Sequence, residues 1–139
     1  VYHRSFIFAQ IPVMKKIIST QSAPAAIGPY AQGNMINGVL YISGQVPFNS
    51  ETGKVVEGIE KATHQVMKNL QAILEAAGLT FSNVVKATIF LKNMDDFAAM
   101  NEIYASYLDP EQFPARETVQ VSCLPRNVDI EISMIAHQF

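Results

Sequence analysis

The chain has 139 residues, is 49% hydrophobic and 16% charged, and carries a net charge of −2. That length supports one domain with a core of its own, needing no disulfide or metal staple. The near-neutral balance and scattered Lys and Arg exclude the basic footprint of a nucleic-acid binder, and no apolar run is long enough for a membrane span.

One cysteine, Cys123, rules out an intramolecular disulfide framework and fits a reducing, cytoplasmic setting. His3, His64 and His137 lie far apart, and no local pair has metal-ligand spacing, so no bound metal is expected. Low charge in a small domain points to surface hidden in an oligomer.

Residues 1–13 (VYHRSFIFAQIPV) hold His and Arg but no acid, then a short apolar patch. They read as an extension outside the fold, either upstream or expression-derived sequence or a targeting remnant; a single domain is expected over 14–139. Lys15 to Ser19 is a short strand candidate, followed by an irregular loop with two prolines and two glycines. Met35 to Ser43 reads as two strands about the Asn37-Gly38 turn. Asn49 to Lys54 reads as a surface loop. From about Gly58, Ile59, Thr63, Val66, Leu70, Ile73 and Ala77 recur at three- and four-residue steps, the signature of a long amphipathic helix.

Val84 to Leu91 is a β-branched central strand. Asp95 or Asp96 caps a second helix whose buried side carries Phe97, Met100, Tyr104 and Tyr107. Thr118 to Cys123 and Asp129 to Ala136 read as a closing hairpin around Leu124-Pro125-Arg126-Asn127. Two helices cannot cover both faces of a sheet of about six strands. The expected fold is therefore α+β: a two-layer sandwich, a mixed sheet of about six strands with both helices on one face. The other face is half-apolar, with Phe90 and Ile135 among Lys86, Thr88, Glu131 and Ser133, and asks for contact with another copy of the chain.

Arg116 admits two readings: a surface arginine paired with Glu117 or a helix carboxylate, or an anchor for an anion. Glu131 is likewise either a solvated edge residue or a working acid. If Pro125 and Arg126 form a hairpin tip, Gln120 pairs with Glu131 and Arg116 stands two pairs further on the same face. That arrangement sets guanidinium and carboxylate about 10 Å apart, where one can hold an anion and the other direct a water. Tyr30 follows Gly28-Pro29, and its ring reads as core with a hydroxyl seeking a partner. Asn101 gains nothing from helix propensity, and Ser43-Gly44 allows close backbone approach at a strand end. Cys123 reads as buried and inert, and His64 as solvated.

In this order, SAPAAIGPYAQG, LYISGQVP, EAAGLTFSNVVKATIFL, DDFAAMNEIYASY, FPAR and LPRNVDIEISMIA resemble the RidA (YjgF) family of reactive-intermediate deaminases. The resemblance spans nearly everything after Met14. It implies a chorismate-mutase-like fold assembled as a homotrimer through its sheets, with active sites at subunit interfaces. It also implies that Arg116 clamps a substrate carboxylate, that Glu131 orients the hydrolytic water, and that Tyr30, Ser43, Gly44 and Asn101 line the pocket. Thr118 stands where many relatives carry cysteine, a position whose main chain touches the ligand, and Ser133 stands where many have a second glutamate.

The implied activity is hydrolysis of 2-iminobutanoate and 2-iminopropanoate, formed by pyridoxal-phosphate enzymes, to 2-keto acids and ammonia without a cofactor. The alternative is a non-catalytic regulatory trimer binding small carboxylates. Partners would be small 2-imino and 2-keto acids and further copies of the chain, with no nucleic acid and no membrane. RNA cleavage, proposed for relatives, is disfavoured by the charge.

Overall fold

The computed structural model describes residues 14–139; the extension expected over residues 1–13 lies outside them. Asn37 and Gly38 adopt φ of 50° and 77°, the left-handed pair a tight hairpin requires, and join β2 (Gly33–Ile36) to β3 (Val39–Gln45). β1 (Lys16–Ile18) adds antiparallel to β2. The loop expected from Asn49 to Lys54 is drawn into a small ladder, β4 (Phe48–Asn49) against β5 (Lys54–Val55). Asn49 Oδ1 accepts from the N–H groups of Glu51 and Thr52 at 2.9 and 3.1 Å, which tightens the turn between them.

α1 (Ile59–Ala76) buries Ala62, Val66, Leu70 and Ile73 completely, one stripe at helical spacing. Its start is tied to the far end of the chain, because Gly58 N–H donates to Asp129 Oδ2 at 3.1 Å. β6 (Val84–Leu91) alternates fully buried Ala87, Ile89 and Leu91, on the helix side, with half-buried Lys86, Thr88 and Phe90. α2 (Phe97–Ser106) is not capped as expected: Asp96 makes no capping bond. Asn93 instead accepts from Asp95 N–H at 2.9 Å and caps a 3₁₀ turn, Met94–Asp96, that runs into the helix. An asparagine one turn earlier thus takes the first free N–H.

The last two strands are β7 (Ala115–Gln120) and β8 (Ile130–His137). The six-stranded sheet has the order β1-β2-β3-β8-β6-β7. The expected closing hairpin is therefore wrong. β8 lies between β3 and β6, antiparallel to both, and β7 is an edge strand parallel to β6. The physical reason is that β6, α2 and β7 form a parallel crossover, with the helix carrying the chain back over the sheet. Both helices cover one face, as expected, and the other face is open. There Tyr41 and Val119 remain 49% and 43% exposed, and Lys86 pairs with Glu117 at 2.9 Å. Cys123, expected to be buried on a strand running from Thr118, is exposed, because the strand is Ala115–Gln120 and Cys123 lies beyond its end.

Candidate active site

Register decides which side chains meet. Arg116 pairs with Ala87, whose side chain is buried beneath the helices, so Arg116 points to the helix side of β7. Glu131 pairs with Phe90 and points to the open side. The expected shared face is thus overturned: β6 lies between the two strands, and Glu131 and Arg116 lie on opposite faces of one sheet. Along β6 their positions are three residues apart, about 10 Å, and the strands are separated by two spacings of about 4.8 Å.

The Arg116 side is built by α2. Phe97, Asn101 and Tyr104 follow at four- and three-residue steps and present one helix face to β7. Arg116 Nη1 donates to Asn101 Oδ1 at 2.6 Å. Its Cζ stands 5.6 Å from the Phe97 ring centroid and 5.1 Å from that of Tyr104. These contacts fix the guanidinium plane while leaving other N–H groups free. The surface pairing with Glu117 does not form, since Glu117 belongs to Lys86. A cavity of about 370 Å³ opens here, lined by Asn101, Tyr104, Phe113, Pro114 and Arg116. Thr118 follows Arg116 on the same side, and its Oγ1, like Tyr104 Oη, is buried without a hydrogen-bond partner. Burial pushes the Tyr104 hydroxyl up, partly offset by Arg116, so it stays protonated.

The Glu131 side is built by β3, β8 and the loop before β2. The β3–β8 register shifts between Ile42 and Gln45, bringing Ser43 and Gly44 beside Glu131. A Cβ on Gly44 would stand 2.8 Å from both Cδ and Oε1 of Glu131, so only glycine leaves room for the carboxylate as it lies. Burial alone pushes the Glu131 carboxyl up from the ordinary glutamate range. Ser43 Oγ donates to Ala31 O at 2.5 Å and its N–H to Gln32 O at 3.0 Å. The serine therefore holds the loop rather than offering a free hydroxyl. Buried Gln32 stitches the same loop, accepting from Thr20 N–H at 2.7 Å and donating to Pro24 O at 2.8 Å.

Tyr30 is not core. It is 53% exposed and lines a cavity of about 580 Å³ shared with Ser43, Gly44, Phe48, Arg126 and Glu131. A larger hollow, about 1040 Å³, lies along the same loop, but among the described residues that line it Lys15 alone is charged. Among the described residues, no three His, Cys, Asp or Glu side chains gather to hold a metal. His64 is not merely solvated: its Nδ1 lies 2.8 Å from Tyr107 Oη, and it lines neither cavity.

Six of the seven expected residues thus fall into two half-sites, Tyr30, Ser43, Gly44 and Glu131 on one side and Asn101 and Arg116 on the other, with Thr118 beside the second. In the sequence Phe97 and Tyr104 read only as buried helix residues. Their spacing around Asn101 was the available signal that they frame Arg116. Gln32 carried no signal beyond being a glutamine in an otherwise apolar context.

A family profile described as endoribonuclease L-PSP matches residues 20–138. A Lactococcus lactis protein provisionally named regulator AldR is 55% identical, over 87% of this chain and 96% of its own. The 2-iminobutanoate/2-iminopropanoate deaminase of Salmonella typhimurium is 44% identical, over 88% of this chain and 98% of its own. The crystal structure of Escherichia coli TdcF with bound serine superposes with a TM-score of 0.85 at 39% identity, covering 89% of this chain and 99% of that one.

Proposed function

The chain belongs to the endoribonuclease L-PSP family, the group of RidA and YjgF proteins, and on that premise we propose that it is a cofactor-independent deaminase of 2-iminobutanoate and 2-iminopropanoate. The observation that carries the reading is the pair of half-sites. One has a guanidinium oriented by Asn101 and, among its described lining residues, no base; the other has a poised carboxylate and no such guanidinium directed at it, its one arginine, Arg126, lying over Phe48. Each supplies what the other lacks. Because they lie on opposite faces of one sheet, the complete site forms between copies, Arg116 from one and Glu131 from the next. A homotrimer closing through the open sheet faces gives three such sites.

The forked N–H groups of Arg116 take the substrate carboxylate, a planar match that lysine lacks. This fixes the imine carbon near a water on Glu131. As the water oxygen bonds to that carbon, Glu131 accepts its proton and the C=N bond becomes single, giving a carbinolamine. Glu131 returns the proton to nitrogen; the C–N bond then breaks as the carbinolamine O–H gives its proton to Glu131 and its oxygen forms the C=O bond, leaving a 2-keto acid, and that proton departs with the ammonia as ammonium. The raised pKa of Glu131 suits a group that must both take and return a proton. An iminium is electrophilic enough to need no metal.

The serine bound to TdcF and the regulator name of the Lactococcus relative favour a second reading, a carboxylate-binding trimer without turnover. Two measurements decide. The first is ammonia release from enzymatically generated 2-aminoacrylate; binding of 2-keto acids without ammonia release selects the regulator. The second mixes inactive Arg116→Ala and Glu131→Gln chains by unfolding and reassembly. Composite sites predict recovery of about a quarter of normal activity, since each site draws its two residues from different copies at random. Sites within one chain predict no recovery.

A further inference from the structure

The Glu131 cavity contains one feature the reaction does not use. Among the described residues that line it only Glu131 and Arg126 are charged, and Ile27, Val46, Phe48 and Pro125 are apolar. Arg126 sits in the 3₁₀ turn Pro125–Asn127 with φ 58° and ψ 18°, followed by Asn127 at φ 54°. A non-glycine residue keeps that left-handed conformation only where its surroundings enforce it. Here buried Leu124 anchors the turn, accepting from Asn127 N–H at 2.9 Å. The guanidinium lies over the Phe48 ring, Cζ 4.8 Å from the centroid. Phe48 is held in turn by buried Asn69, whose Nδ2 donates to Val46 O at 3.2 Å and Phe48 O at 3.0 Å. Among the described residues the one ion pair is Lys86 with Glu117, so no carboxylate neutralises Arg126. Glu131 is not its partner either, since burial alone acts on that carboxyl.

A cavity of about 580 Å³ is far larger than 2-iminopropanoate needs, with its about six non-hydrogen atoms. The spare room runs between apolar walls and includes a rigidly held, unneutralised cation. We propose that Arg126 is a second anion anchor that selects 2-imino acids whose side chain ends in a carboxylate. The inference rests on the deaminase reading above. Arg116 of one copy holds the first carboxylate, Glu131 works on the imine carbon, and the side chain crosses the apolar stretch to Arg126. A carboxylate suits it, because the free edge of a guanidinium stacked on a ring offers two parallel N–H groups.

The test compares pyruvate with 2-oxoglutarate as ligands, and 2-iminopropanoate with 2-iminoglutarate, generated in place by an amino-acid oxidase, as substrates. The variants are Arg126→Met, which keeps a long side chain on Phe48, and Arg126→Lys, which keeps the charge. We expect the wild type to bind 2-oxoglutarate more tightly than pyruvate. In Arg126→Met, affinity and kcat/KM for the dicarboxylates should fall at least about tenfold, while the monocarboxylates change less than about twofold. Arg126→Lys should recover part of the loss, and thermal melting of both variants should match the wild type. Equal loss for both ligand classes, or no loss for either, overturns the second anchor while leaving the deaminase reading intact. Failure of the wild type to bind either acid or to release ammonia overturns both.

Discussion

The two halves of the proposed site are built on different principles. On the helix side, Arg116 is fixed from three directions, by the Asn101 amide and by the rings of Phe97 and Tyr104. On the open side, no hydrogen bond or ion pair among the described residues holds the Glu131 carboxylate; it rests against the bare backbone of Gly44 in a partly dry cavity. The anchor is rigid and the acid is only seated. A binding group benefits from preorganisation, whereas a group that carries a proton out and back benefits from a pKa raised by weak solvation and from having no partner that would pin its charge.

The largest effect should come from Glu131→Gln, which keeps the shape of the side chain but cannot accept a proton. We expect turnover to fall by about 10²–10⁴-fold with 2-keto acid binding retained. The sign of the stability effect separates this residue from an ordinary ion-pair member. A carboxyl whose folded pKa is raised favours folding most while protonated, and that contribution is lost as pH rises through the raised pKa. At neutral pH the variant should therefore melt no lower than the wild type, and a clear drop would mean Glu131 has an unseen partner. In the wild type, kcat/KM should decline on the acid side at a pH above the ordinary glutamate value of about 4.3.

Gly44→Ala tests the seating itself. The new methyl meets the mobile end of Glu131, so the fold should survive with little change in melting while the carboxylate is displaced. A shift of about 1 Å can cost on the order of 10²-fold in rate. Normal turnover in a folded Gly44→Ala protein would show that the position of the carboxylate at rest is irrelevant.

Arg116→Lys tests the rigid half. It keeps the charge but loses the fork and the Asn101 bond in its present geometry, and should reduce kcat/KM by roughly ten- to a hundredfold, close to Arg116→Ala. Near-normal activity with lysine would reduce the anchor to a point charge. The smallest effect expected is that of Tyr104→Phe. The ring beside Arg116 remains, and the lost hydroxyl is buried without a partner, so binding should hold and melting should stay level or rise. A fall in stability would reveal a bridging water on that oxygen.

Local chemistry made much of this fold readable: Asn37-Gly38 as the hairpin turn, the helical stripe from Ile59, and the alternation that left one sheet face uncovered. The partner of β7 was not readable. Two β-rich segments joined by Leu124-Pro125-Arg126-Asn127 look like neighbours because a short connection favours pairing. The stronger fact was that β6, α2 and β7 form a strand–helix–strand unit, in which the outer strands run parallel and pair with each other. That single choice sets Glu131 on the opposite face from Arg116, although the alternation that groups Arg116 with Thr118, and Glu131 with Ser133, holds within each strand. Cys123 and Tyr30 are exposed for a different reason, since one lies beyond the end of β7 and the other in the loop before β2, where no strand face packs them against the helices. Alternation says which residues share a side; only the topology says what that side meets.

The ion pair between Lys86 and Glu117 has a bearing on how reliably the molecule assembles its anchor. As an exposed pair it adds little to stability. Its location is informative all the same, because β7 is the last strand of the sheet and only β6 guides its alignment. Were β7 to settle one residue out of step, every side chain on it would turn over. Arg116 would then be left on the open side without Asn101, and Glu117 would be driven under α2. Lys86 attracts Glu117 only in the correct alignment, where the helix side also receives its arginine. The pair works as a proofreading mark on an otherwise weakly specified edge, and reversing Glu117 to lysine would misalign a fraction of chains before it measurably lowered the melting temperature of those correctly folded.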